Sequence, residues 1–182
     1  MKLQNDLMVI LSGNSGGNMQ VKFREIQPSD NKELAEMIRK IFREFKIDMP
    51  GTVYTDPTTD ALYDLFQTPG SAYFIAEENG RIVGGCGFYP TNGLPHGYAE
   101  LVKFYVAFEA RGKGTGKELM IKTIEEAKKA GYTHIYLESF PNLTKAIEMY
   151  HQTGFKKIAH ALGNSGHYSC NVWMVKDLNS EE

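Results

Sequence analysis

One stretch constrains this chain more than any other. It begins with an apolar, β-branched and aromatic run, Leu101-Val102-Lys103-Phe104-Tyr105-Val106. Ala110-Arg111-Gly112-Lys113-Gly114-Thr115-Gly116-Lys117 follows, and then a long run ending in Lys129-Ala130-Gly131. The first part lacks the alternation of a half-solvated strand and suits a central strand covered on both faces. In the last part Gly116, Met120, Thr123, Ile124 and Ala127 recur at helical spacing, which predicts one buried helix face. Lys128 and Lys129 suit the helix C-terminus, and Gly131 fits its cap. A strand, a glycine turn and a helix therefore follow one another. Backbone amides exposed at a helix N-terminus, beside Arg111, Lys113 and Lys117, make a site for phosphate or pyrophosphate.

Three phosphate-binding patterns compete for this turn. A P-loop ending at Gly116-Lys117 needs a glycine at 111, which is Arg, and a hydroxyl at 118, which is Glu. A dinucleotide fingerprint needs a small residue at 117 or 119, where Lys and Leu stand. The third pattern, Arg-x-x-Gly-x-Gly, is met in full by Arg111, Gly114 and Gly116. The segment Tyr105-Val106 followed by Glu109 to Gly116 resembles the pyrophosphate-binding segment of the GNAT superfamily of acyl-CoA N-acyltransferases. The plainer alternative, a glycine loop that only turns the chain, leaves three basic residues in seven positions without a reason.

Only one domain is expected from 182 residues, and 42% hydrophobic content is enough for a core. A net charge of −2 leaves no footprint for nucleic acid. Cys86 and Cys170 are far apart in sequence and suit free thiols in a cytoplasmic protein. The run Leu7 to Leu11 is short for a signal segment, and no run reaches membrane-spanning length. Residues 1–18, with Ser12-Gly13-Asn14-Ser15-Gly16-Gly17-Asn18, read as a flexible extension, so the domain is expected over 19–182.

Pattern along the domain predicts the order β-α-α-β-β-β-α-β-α-β-β. Asp30 to Glu33 has the look of a capping box before a first helix. Asp56-Pro57 reads as an N-cap with a first-turn proline, and Asn79-Gly80 as a tight hairpin. The glycines of Arg81 to Tyr89 suggest a bulge or close backbone approach. A late helix over 142–152 ends at Gly154-Phe155.

This order is similar to that of the GNAT fold: a mixed α/β (α+β), mostly antiparallel sheet of about six to seven strands with about four helices. Ala146-Ile147-Glu148-Met149-Tyr150, then Gly154-Phe155, resembles the family's late helix and its end. The likeness covers about residues 20 to 178. The family often has an asparagine seven residues before the tyrosine; here position 143 is Leu, and Asn142 stands one residue early.

The resemblance implies an N-acetyltransferase that moves acetyl from acetyl-CoA to an amine, with no metal. It implies that pantetheine pairs with the backbone of Phe104, Tyr105 and Val106. The pyrophosphate would then rest on the amides of Arg111, Gly112, Lys113, Gly114, Thr115, Gly116 and Lys117. An ammonium must lose a proton before it attacks, and a departing thiolate gains from an acid. Glu100 is the candidate base and Tyr150 the candidate acid, each at a position matching the family's. The plainer alternatives are a solvent-facing glutamate and a packed tyrosine. Glu138 is the second candidate, as base or as the site of a cationic acceptor. Loop residues Asp48, Tyr54, Asn164, Ser165 and His167 are expected to line the acceptor pocket.

The partner expected is a small-molecule or peptide amine, with no nucleic acid and no membrane, and many members of the family pair as homodimers. A non-catalytic acyl-CoA-binding module is the competing function. His160, His167 and Cys170 have no trusted zinc-ligand spacing. Cys86 reads as core.

Overall fold

The computed structural model describes residues 21–46, 48, 53–141, 143–165 and 170–180. The expected extension, Asn142 and His167 lie outside the described residues.

The elements run β1 (Lys22–Glu25), α1 (Asn31–Glu44), α2 (Leu62–Leu65), β2 (Ala72–Glu78), β3 (Arg81–Tyr89), β4 (Tyr98–Val106), α3 (Thr115–Lys129), β5 (His134–Ser139), α4 (Thr144–Gln152), β6 (Lys156–Ile158) and β7 (Val172–Asp177). They form one seven-stranded sheet of order β1-β2-β3-β4-β5-β7-β6. Only the β4–β5 pairing is parallel, so the sheet is mixed and mostly antiparallel as expected.

Local chemistry accounts for most boundaries. Asn79 and Gly80 both take positive φ, 53° and 74°, which closes the β2–β3 hairpin. The Asp56 side chain accepts from the Thr58 amide at 2.9 Å and starts the 3-10 turn that leads into α2. The capping box expected at α1 is replaced by longer-range contacts. Asp30 turns to the Arg24 guanidinium at 2.7 and 3.0 Å, and Glu33 accepts from the Ile82 amide at 2.9 Å. A buried carboxylate gains more from a guanidinium than from one amide. For Asp30, burial works against the charge, but Arg24 and the Gln27 amide outweigh it and hold the carboxyl below its usual range.

The two faces of the sheet have different cover. On one face Leu119, Met120, Thr123, Ile124 and Ala127 of α3 are buried. Phe74, Cys86 and Phe88 are buried too, and Leu119 would lie 3.3 Å from a Cβ added at Gly84. The other face meets α1, where Phe42 packs edge-on to Tyr105 with ring centroids 5.8 Å apart.

Two irregularities mark β4. Beyond Glu100, β4 has no residue paired with β5, so the two parallel strands diverge and Leu101 to Val106 continue beside β3 alone. The β3–β4 register also shifts: Gly85 pairs with Tyr105 but Gly87 with Val102, and Lys103 takes φ 53°. This is a bulge with one extra residue on β4. Gly85 is required beside it, because a Cβ there would stand 2.2 Å from the Tyr73 hydroxyl. That hydroxyl donates to the Lys103 carbonyl at 2.8 Å, and the Lys103 ammonium lies 3.0 Å from Asp56.

Candidate active site

The turn between β4 and α3 opens a helix without a cap. The N-cap residue is Gly114 at φ 91°, and no side chain bonds to the first turn. Glycine adopts that φ freely, where a β-branched residue would be strained. An uncapped first turn leaves its N–H groups to an outside acceptor, and the helix dipole favours an anion there. Thr115 is buried, Gly116 half-buried, and Gly112, Lys113, Gly114 and Lys117 are exposed.

Arg111 differs from the rest of its loop. Its guanidinium forms a forked pair with Glu44 of α1, the Nη2–Oε2 contact being 3.0 Å. Its Nε donates to the Val106 carbonyl at 2.9 Å, and it lies over the rings of Phe45 and Phe108. The side chain thus ties the loop to α1 and the end of β4, and only its backbone faces the turn. Lys113 is exposed and lies 3.5 Å from the half-buried Glu78.

The gap where β4 leaves β5 lies next to this turn. Phe104 and Val106 line it from β4: a Cβ added at Gly116 would meet Val106 at 3.2 Å, Phe104 at 3.5 Å and Met149 of α4 at 3.8 Å. Tyr150 of α4 packs by Phe104 and Phe155, with ring centroids 6.3 and 5.9 Å away. Tyr150 is buried. Burial pushes its pKa up, so the hydroxyl keeps its proton at neutral pH.

Glu100 and Glu138 share the α1 face of the sheet. Glu100 is the register partner of Tyr136, and Glu138 stands two residues further along β5. Glu100 is 2% exposed, so it is not the solvent-facing strand end that was the plainer alternative; the Thr91 hydroxyl donates to its Oε2 at 2.5 Å. Glu138 is half-buried and receives two hydroxyls on Oε1, from Tyr136 at 2.8 Å and Ser165 at 2.9 Å. Trp173 pairs with Glu138 from β7, and Tyr89 with Glu100 from β3. Cys170 lies close enough to both carboxylates that burial, followed by Glu138 and Glu100, raises its thiol to about 11.

Residues 35–155 match the sequence profile of the acetyltransferase (GNAT) family. The uncharacterized N-acetyltransferase YjgM of Escherichia coli (strain K12) is 36% identical over 156 residues, 85% of this chain and 93% of that protein. The chain is a GNAT acetyltransferase. The crystal structure of a GNAT acetyltransferase from Staphylococcus aureus Mu50 superposes with a TM-score of 0.77 at 25% identity, covering 88% of this chain and all of that one. The structure of yncA from Salmonella typhimurium, solved with its cofactor acetyl-CoA, superposes with a TM-score of 0.69 at 21% identity, over 90% and 96% of the two chains.

In this acetyltransferase the expected residues fall into three places. Phe104, Val106 and Tyr150 meet at the gap, next to the turn from Arg111 to Lys117; Tyr105 faces α1 instead. Glu100 and Glu138 meet on the α1 face. Tyr54 sits among Arg39 and Arg43 of α1, its carbonyl accepting from Arg39 at 3.3 Å. Asn164 is exposed and Asp48 likewise. Pattern reading missed Tyr136, Thr91 and Tyr73. Strict alternation over Tyr136-Leu137-Glu138 was signal enough to put Tyr136 beside Glu138; Thr91 and Tyr73 carried none. Among the described residues no group of His, Cys, Asp or Glu is placed to hold a metal, and no helix is long and apolar enough to cross a membrane.

Proposed function

We propose that this acetyltransferase moves the acetyl group of acetyl-CoA to a primary amine on a cationic small molecule or peptide, by direct attack within a ternary complex. The observation that carries the reading is the uncapped first turn of α3 opening beside the gap between β4 and β5, with a protonated tyrosine at the gap. The yncA structure, bound to acetyl-CoA, has the same fold. The backbone of Gly112 to Lys117 takes the pyrophosphate, with Lys113 and Lys117 adding charge. Phe104, Tyr105 and Val106 offer strand backbone to the pantetheine arm.

On the other side of the thioester, the carboxylates receive the acceptor. Glu138 is the better exposed of the two and meets the ammonium; Glu100 lies beside it on the same face, held by the Thr91 hydroxyl. A carboxylate takes the ammonium proton, directly or through water, and the free amine attacks the thioester carbonyl. The C–N bond forms and the C–S bond breaks; Tyr150 donates its proton to the departing sulfur, and the second proton, shed by the nitrogen as it becomes an amide, passes through water and restores the tyrosine. The aromatic side chains of Tyr89, Tyr136 and Trp173 around the carboxylates favour a cation. Direct attack is favoured over an acyl-cysteine step because burial holds both thiols neutral, Cys86 at about 12 and Cys170 at about 11.

The test is thiol release from acetyl-CoA across a panel of amines, with wild type, Glu138→Gln and Tyr150→Phe side by side. Release is expected with cationic amines, at a slower rate in both variants. Binding of acetyl-CoA without release against any amine would assign the fold to acyl-CoA sensing instead.

A further inference from the structure

The two carboxylates are held by hydroxyls from two separate loops, and the loops are fastened to each other. Thr91 lies on the loop between β3 and β4, and Ser165 on the loop between β6 and β7. The Asn164 amide donates to the Asn92 carbonyl at 2.8 Å. Next to this bond Gly93 and Gly163 touch backbone to backbone: a Cβ on Gly93 would stand 3.2 Å from the Gly163 Cα. Gly163 has φ 68°, and a Cβ there would be 3.0 Å from the Asn92 carbonyl. Both positions thus need glycine for the loops to close on each other. The second loop also donates its Leu162 amide to the Tyr136 hydroxyl at 3.1 Å, which commits the Tyr136 proton to Glu138 at 2.8 Å. One clasp therefore sets the hydroxyl on Glu100 and both hydroxyls on Glu138.

We propose that Thr91 and Ser165 are positioning residues for acetyl transfer, delivered by the Gly93–Gly163 clasp to orient Glu100 and Glu138 toward the acceptor amine. A carboxylate has two oxygens and free rotation about its last bond. A hydroxyl on one oxygen fixes which oxygen faces the incoming amine, and small losses of such alignment are costly to rate. In this role Thr91 and Ser165 act through the carboxylates they hold. The inference rests on the acetyl-transfer reading of Glu100 and Glu138 given above.

The experiment measures kcat for amine acetylation, the acetyl-CoA dissociation constant and the melting temperature of six variants. Thr91→Val and Ser165→Ala remove the hydroxyls, Thr91→Ser and Ser165→Thr return them, and Glu100→Gln and Glu138→Gln remove the charges. The expected result is a fall in kcat of about tenfold or more in Thr91→Val and Ser165→Ala. Their acetyl-CoA affinity stays at the wild-type value, Thr91→Val melts somewhat lower because a buried carboxylate loses a donor, and kcat recovers in Thr91→Ser and Ser165→Thr. A merely structural role would weaken acetyl-CoA binding and lower kcat together, in step with the melting temperature, and would not follow the hydroxyl. If the glutamine variants are slow while Thr91→Val and Ser165→Ala keep full rate, the positioning role is overturned and the acetyl-transfer reading stands. If both glutamine variants also keep full rate, the assignment of the carboxylates falls and this inference with it.

Discussion

The glycine turn before α3 and the carboxylate face differ in how they are built. The turn is one continuous piece of chain, Arg111 to Lys117, and what it offers is backbone amides at an uncapped helix start. The carboxylate face is assembled from β4, β5, β7 and two loops, and its chemistry is carried by side chains holding side chains. The first kind of site depends on backbone conformation, so a single φ at Gly114 decides it. The second depends on the relative placement of segments far apart in sequence, so it is tuned by contacts that no single segment reveals.

The largest expected effect separates chemistry from binding. Tyr150→Phe should lower kcat about 100-fold while acetyl-CoA affinity stays the same, because the ring remains against Phe104 and Phe155 and only the proton donor is lost. Steady-state rates with calorimetric binding check it; equal turnover removes Tyr150 from the mechanism. Next, Gly114→Val should weaken acetyl-CoA binding about tenfold or more, since φ 91° costs a β-branched residue about 1–2 kcal/mol and the displaced amides lose the phosphate. Its acceptor KM should not change, and a variant that alters both would erase the division between the two regions.

A smaller effect lies at the bulge that joins them. Tyr73→Phe leaves the part-buried Lys103 carbonyl without its 2.8 Å donor and should cost about 1 kcal/mol of stability. Because the bulge sets the course of β4, weaker acetyl-CoA binding should accompany the loss in a denaturation and binding series. The smallest effect on binding should come from Arg111→Lys. This guanidinium is spent on Glu44 and Val106, so the variant should lose stability before it loses acetyl-CoA affinity. An affinity loss as large as that of Gly114→Val would show that Arg111 reaches the phosphates itself.

The same contrast explains what could be read from sequence. The element order, the hairpin at Asn79-Gly80 and the α3 face through Ala127 follow from local propensity and periodicity, and all appear in the structure. The glycine turn was legible for the same reason: its requirements are met within seven residues. The Asp30 capping box was misread because Arg24, six residues back, offers the carboxylate a stronger partner than the helix amide does. The bulge was expected from the glycines of β3, but its owner, Tyr73, comes from β2 and fills the space that Gly85 leaves. Thr91 carries no local signal, and Ser165 was legible only as a loop residue of the acceptor pocket; the meeting of Gly93 with Gly163 is what sets the two hydroxyls on the carboxylates.

The most direct test of acetyl-CoA binding at this turn is thermal unfolding of wild type and Gly114→Val with and without the ligand. A ligand at 100 times its dissociation constant adds about 2.7 kcal/mol to the stability of the protein that binds it. The expected result is a clear rise in the melting temperature of the wild type and a much smaller one in Gly114→Val. No rise in the wild type, or an equal rise in both proteins, would contradict the assignment, because the phosphates would then lie somewhere other than the first turn of α3.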